Sequence, residues 1–185
     1  MPYAQDLRAV VGQRPLILVA AGALICNAAG ELLLQRRTDD RLWGIPGGSM
    51  ELGESAEENA RREVWEETGL VVGDLQLFGV FSGPEMRHVY PNGDEAAIVS
   101  VVYLVNLVPG QAPIPGDESL ELRSFTREAL QAVLLSPPNK PIVRAFLQAG
   151  AEQASGESLQ PCATTSAHGA TISSSTALTP RTARR

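Results

Sequence analysis

From Leu16 to Cys26 the chain is almost unbroken in apolar residues, LILVAAGALIC, and from Ala96 to Leu107 it is so again, AAIVSVVYLVNL. The first run is long enough for a strand, and the second, dense in Val, Ile and Tyr, reads as a buried central one. Asn27-Ala28-Ala29-Gly30 makes a turn after the first run, and Glu31 to Arg36 continues with three leucines, so the pair predicts a hairpin. Val71 to Val80 predicts a further strand with a Gly73-Asp74 turn near its start. Ser82-Gly83-Pro84 breaks it, and Pro91-Asn92-Gly93-Asp94 marks another turn.

Helical patterns separate these strands. Asp6 to Val11 predicts a short helix packed on the domain. Ser55, with Glu58 three residues on, forms a capping box for a helix stopped by Gly69 in the left-handed conformation. Ala56, Ala60 and Val64 give that helix a narrow apolar strip for a sheet. Thr126 caps a helix over Arg127 to Leu134, ended by Pro137-Pro138, and Asn139-Lys140-Pro141 opens a last helix to Gln148, stopped near Gly150. The fold class is α/β, a mixed sheet between helices, without internal repeats.

The 185 residues fit one domain over 1–149 followed by a tail over 150–185. The tail is rich in Ser, Thr, Ala and Gly and buries too little surface to offset its ordering entropy, so it is expected to be disordered, with its terminal arginines solvated. A net charge of -6 and a pI near 5.0 offer no basic field for a nucleic-acid backbone. The two cysteines, Cys26 in an apolar strand and Cys162 in the tail, form neither a disulfide framework nor a zinc pattern. The N-terminus lacks the apolar core of a signal peptide and no run reaches the ~20 apolar residues of a membrane span. A cytoplasmic home is expected.

The chemistry concentrates in Gly48 to Leu70, GSMELGESAEENARREVWEETGL. Glu63, Glu66 and Glu67 stand at i, i+3 and i+4, which gathers three carboxylates on one helix face, and no basic residue is expected to share that spacing. Two such carboxylates ~5 Å apart at an effective dielectric of ~20 repel by about 3 kcal/mol. A divalent cation reverses that sign, and hard oxygen ligands suit Mg2+, with Mn2+ as a substitute, rather than zinc. A solvated acidic face is the alternative. Against it stands the preceding loop of Pro46, Gly47, Gly48 and Gly53, whose backbone can approach a ligand closely.

The run Gly48, five residues, Glu54, seven residues, Arg62-Glu63-Val64-Trp65-Glu66-Glu67-Thr68-Gly69-Leu70 resembles the Nudix box, G-x5-E-x7-R-E-U-x-E-E-x-G-U with U a bulky aliphatic, at every fixed position. Trp43-Gly44-Ile45-Pro46-Gly47-Gly48 and Leu32 to Arg37 are similar to that family too, and the resemblance covers roughly Leu16 to Leu147. It implies an α/β/α sandwich in which a loop-helix-loop binds Mg2+ and splits a nucleoside diphosphate linked to another group. It implies metal ligands at Glu66 and Glu67, with Glu63 sharing that task or taking a proton from water, the Gly48 carbonyl as a further ligand, and Glu54 with Arg62 as a supporting pair. A late acidic residue is expected near the metal: Glu118 first, Asp117 and Glu121 behind it.

For the rest of the substrate, strand alternation lets only one of Arg36 and Arg37 face the cleft, and Arg36 is taken as the phosphate contact. Trp43 either stacks on a base or packs under its own loop. Glu85 to Tyr90, with Arg87, His88 and Tyr90, is the expected seat of selectivity. Pro84 is similar in place to a proline of ADP-ribose-cleaving members, which favours ADP-ribose or a nucleotide sugar. A (d)NTP cleaned from the pool comes second. Nucleotide binding without hydrolysis comes third, although such domains usually lose box glutamates and this chain keeps them. Prenyl diphosphate isomerisation would call for a catalytic cysteine, which Cys26, placed mid-strand, does not supply. The implied partner is a small nucleotide, with no nucleic acid and no membrane; a homodimer is compatible with this reading.

Overall fold

A computed structural model describes residues 3–90 and 92–155. The expected disordered tail from residue 156 on, with Cys162 and the terminal arginines, lies outside the described residues. In chain order the elements are α1 (Tyr3–Val11), β1 (Leu16–Cys26), β2 (Leu32–Arg37), β3 (Trp43–Gly44), β4 (Gly47–Ser49), α2 (Ala56–Thr68), β5 (Gln76–Phe81), a 3-10 turn (Pro84–Met86), β6 (Arg87–Val89), β7 (Glu95–Asn106), β8 (Ser119–Phe125), α3 (Arg127–Leu130) and α4 (Asn139–Ser155).

The two long apolar runs lie side by side and parallel, from Leu16 opposite Ala96 to Cys26 opposite Asn106. Around this pair the sheet is antiparallel and runs in the order β3-β2-β1-β7-β5, with β4 on β1, β6 on β7 and β8 on β2. The expected hairpin of β1 and β2 is present, with Cys26 opposite Leu32.

Alternation along β1 sends Ala21, Ala23 and Ile25 to a core closed by Ala60 and Val64 of α2, and Leu24 to an opposite core closed by Leu130, Ile142, Val143 and Phe146 of α3 and α4. Both faces of the second halves of the central strands are therefore largely dry, while Ile17 and Val19 at the start of β1 stay exposed. That is why their sequences show no polar period, and it makes the fold the expected α/β/α sandwich.

Four local expectations change. Residues 71–75 do not join the sheet, because the Gln111 side chain bonds both the Val71 N–H and the Val71 carbonyl, at 2.8 and 2.9 Å, and β5 begins only at Gln76. α3 ends at Leu130, since the following segment turns extended beside β3, where the Trp43 N–H donates to the Leu134 carbonyl and the Ser136 N–H to that of Trp43. α4 runs through Gly150 to Ser155. α1 buries none of its residues and is instead tied by polar contacts: the Tyr3 N–H to the Glu51 carboxylate, and Arg8 to the Glu95 carbonyl and the Asp94 carboxylate.

Candidate active site

The acidic helix is fixed at three points. At its start the Ser55 hydroxyl accepts from the Glu58 N–H and the Glu58 carboxylate accepts from the Ser55 N–H, so the expected capping box is closed. At its end Gly69 takes φ 67°, the left-handed conformation a side chain resists. Between them Asn59, fully buried, accepts from the Ala21 N–H at 2.8 Å and donates to the Ser49 carbonyl at 3.0 Å, which pins α2 to β1 and β4 together. Asn59→Leu leaves the Ala21 N–H without its partner and the Ser49 carbonyl with Arg62 alone. It is expected to cost about 2–4 kcal/mol of stability, read as a fall in the urea midpoint; a loss near zero would mean that water replaces the amide.

The stripe does have a basic neighbour, contrary to the reading of its spacing. Arg62 lies one turn before Glu66 and holds it at 3.0 Å, Glu63 at 2.7 Å and Glu54 at 2.6 Å, while also donating to the Ser49 carbonyl. The side-chain bond from Arg62 holds the Glu54 carboxyl down at about 2. Glu67 stands apart. Only 3% exposed, it accepts the Gly47 N–H at 2.8 Å, yet burial pushes its pKa up to about 7 against that bond, the Gln35 amide and Arg37. Gln35 Nε2 itself closes no hydrogen bond of normal geometry. Glu63 is likewise raised by burial, with Arg62 opposing.

The loop over residues 109–118 is docked on the end of α2. The Ile114 N–H donates to Thr68, the Gly116 N–H to Glu67, and the Ser119 hydroxyl to the Glu67 carbonyl. This brings Asp117 and Glu118 into the lining of the cleft that Glu63, Glu66, Glu67 and Gly48 also line, a space of about 760 Å³. Glu121 is drawn away to Arg123 and is not among the lining residues.

Three expected substrate contacts fall elsewhere. Arg36 is exposed, donating to the Arg41 carbonyl, and it is Arg37, held by Asp39 at 2.9 Å, that lines the cleft. The alternation argument was sound, but only the register of β2 decides which arginine turns inward. Trp43 packs edge-on against Phe125 with centroids 4.9 Å apart and under the Arg123 guanidinium, the packing alternative rather than the stacking one. Arg87 points outward to Glu95, while its neighbour His88 turns inward.

Tyr90 lines the cleft as the expected selectivity segment implies, and also lining it, unforeseen, are an apolar group, Ile45, Met86, Ile98 and Ile142 beside Asn139, and a polar group of Arg8, Asn92 and Asp94. Neither has a local sequence signature, because each joins residues from separate elements.

The donor set fits a hard divalent cation in kind: oxygen only, with two carboxylates that burial makes costly to ionise unaided. A Cβ at Gly48 would meet the Glu63 carboxyl at 2.6 Å, so glycine is what lets that carboxylate lie against this backbone. Yet among the described residues no three His, Cys, Asp or Glu side chains converge as a ready cation site. Glu63 and Glu66 lean on Arg62 instead, and an incoming cation has to compete with that guanidinium.

A family model described as NUDIX domain matches residues 16–146. A putative 8-oxo-dGTP diphosphatase of Bacillus subtilis is 34% identical over 103 residues, 56% of this chain and 62% of that protein. An ADP-ribose pyrophosphatase of Methanocaldococcus jannaschii is 34% identical over 104 residues, 55% of this chain and 57% of that one. The chain thus spans less than two thirds of either relative. The crystal structure of a MutT NUDIX hydrolase from Burkholderia pseudomallei superposes with a TM-score of 0.58 at 26% identity, covering 71% of this chain and 98% of that one.

Proposed function

The chain belongs to the Nudix hydrolase family, and from that premise we propose that it hydrolyses the diphosphate linkage of a nucleoside diphosphate derivative, of ADP-ribose or nucleotide-sugar type, with Mg2+ or, in its place, Mn2+. The observation that carries this reading is the buried Glu67 carboxylate set in one cleft with Glu63, Glu66, Gly48, Asp117 and Glu118. Bound there, a divalent cation supplies charge neutralisation of the diphosphate and a more acidic water.

The chain's own residues do the rest. Glu66 and Glu67 would hold the cation with the Gly48 carbonyl. Glu63 shares that task or takes the water's proton, and its burial, opposed by Arg62, raises its affinity for one. Glu54 and Arg62 hold the loop against the helix through a two-point bond, 2.6 and 3.1 Å, that keeps these groups in register. Arg37 supplies a cation to the phosphates, and Glu118, with Asp117 beside it, is the late acidic group.

Cleavage of a nucleoside triphosphate is the second reading. It is favoured by the likeness to the Bacillus subtilis protein, which matches the likeness to the ADP-ribose pyrophosphatase in identity. Regulation without hydrolysis is the weaker alternative, since every glutamate of the box is kept. Among the described residues no helix is long and apolar enough to cross a membrane.

The test is product release from ADP-ribose, a nucleotide sugar, a dinucleoside polyphosphate and (d)NTPs by the purified protein, with and without Mg2+. Cleavage of one class that stops on chelation and returns with Mg2+ or Mn2+ is expected. Silence across the panel from a protein that still binds a nucleotide would sink the hydrolase reading.

A further inference from the structure

β6 edges the cleft, and its alternation sets Arg87 and Val89 outside and His88 inside, where His88 lines the cleft together with Tyr90, two residues on. His88 is 7% exposed and its ring stands edge-on to Tyr90 with centroids 4.4 Å apart. Its Nδ1 is buried and has no hydrogen-bond partner. A polar atom in that state costs stability unless something completes it. Burial and the nearby Arg37 cation both favour the uncharged imidazole.

The surroundings narrow what that partner can be. Arg37 lines the cleft together with Glu63, Glu66 and Glu67 of the acidic stripe and with His88 and Tyr90. A diphosphate bridging the stripe and Arg37 would bring its next group against His88 and Tyr90. Once the diphosphate has taken Arg37, no cation among the described residues that line this part of the cleft is left unengaged. Asp39 holds Arg37, and Asp94 with the Glu95 carbonyl holds Arg8. A third phosphate would meet carboxylates with their cations already engaged, whereas a hydroxyl-bearing uncharged group would meet an imidazole nitrogen able to exchange one hydrogen bond with it.

We propose that His88, backed by Tyr90, is a specificity-determining residue that hydrogen-bonds an uncharged, hydroxyl-bearing group, such as a sugar, beyond the diphosphate. This rests on the cleft's being the diphosphate site. It separates a sugar-terminated nucleoside diphosphate from a nucleoside triphosphate at a single atom.

The test compares ADP-ribose with ADP, which lacks the terminal sugar and carries one further negative charge on its terminal phosphate, so the readout is the change that His88→Phe makes in their ratio. Dissociation constants are measured by calorimetry with Ca2+ in place of Mg2+, and turnover with Mg2+, for the full chain, His88→Phe and His88→Gln. His88→Phe keeps a ring against Tyr90 and removes the nitrogens. Wild type is expected to bind ADP-ribose about tenfold or more tightly than ADP. His88→Phe should erase that preference without weakening ADP, raising KM for ADP-ribose more than it lowers kcat, and His88→Gln should restore part of it. No preference in wild type, or equal losses for both ligands in His88→Phe, would overturn the proposal. Binding preference lost in His88→Phe, in a wild-type protein that releases no product with Mg2+, would keep the proposal and overturn hydrolysis instead.

Discussion

Glu67→Gln is expected to remove about a thousandfold of the hydrolytic rate and, in metal-free buffer at pH 8, to make the protein more stable. Both effects come from one charge. The folded chain raises this carboxyl to about 7 from 4.5 by burying it, and at ~1.4 kcal/mol per unit the ionised form costs on the order of 3 kcal/mol. The sign follows from which state holds the proton more tightly. The folded state does, so the stability associated with Glu67 is fully present below about pH 4.5 and is lost as pH rises through about 7. Glu54 acts oppositely: held down at about 2 by Arg62, it contributes stability above its ordinary range that is lost only as pH falls toward 2.

Glutamine keeps an acceptor for the Gly47 N–H and carries no charge to bury. Metal-free Glu67→Gln should therefore melt roughly 5–10 °C above wild type at pH 8 and close to it at pH 5, by calorimetry. Added Mg2+ should raise the wild-type Tm at pH 8 and leave the variant unmoved. A variant less stable than wild type at pH 8 would show that the carboxylate is a structural group rather than a stored cost.

Gly116→Ala carries the second large effect. A Cβ there would lie 1.9 Å from the Glu66 carbonyl oxygen and 3.3 Å from the Glu67 Cα. Those are helix backbone atoms that cannot swing aside, so the loop has to lift. Lifting it breaks the bond from the Gly116 N–H to the Glu67 carbonyl and carries Asp117 and Glu118 away from the cleft. The expected cost is about 2–4 kcal/mol, with activity falling tenfold or more even at temperatures where the variant is folded. Gly110→Ala is a fitting control, because a Cβ there meets nothing and its left-handed φ of 87° alone is strained. Equal activity in the two variants would detach the loop from the chemistry.

The parts of this site carried by one continuous segment were legible in the sequence. Ser55, Glu58 and Gly69 set the helix ends by local bonding, and Glu63, Glu66 and Glu67 share a face because 3.6 residues make a turn. Both central strands were legible as apolar runs, the second also as a buried central one, though nothing local says they run parallel.

What depended on register or on distant partners was not legible. Arg36 and Arg37 differ by one position, and only pairing with β8, shifted by a bulge between those two residues, sets their directions. Trp43 was open between stacking on a base and packing under its own loop, and its actual partners, Phe125 and Arg123, come from β8. Arg62 was recognised as a support for Glu54, but its hold on Glu63 and Glu66 depends on where the guanidinium comes to rest. Asn59 carried no signal at all, for its partners Ala21 and Ser49 belong to strands that only the fold places beside it.

The most direct measurement is the dissociation constant of Mg2+ by calorimetry from pH 5 to pH 8. If Glu67, neutral below about 7, must lose its proton to hold the cation, the constant should fall about tenfold per pH unit up to that value and then level off. An affinity that stays flat across the range would contradict the assignment of the buried carboxylate as the metal-binding group.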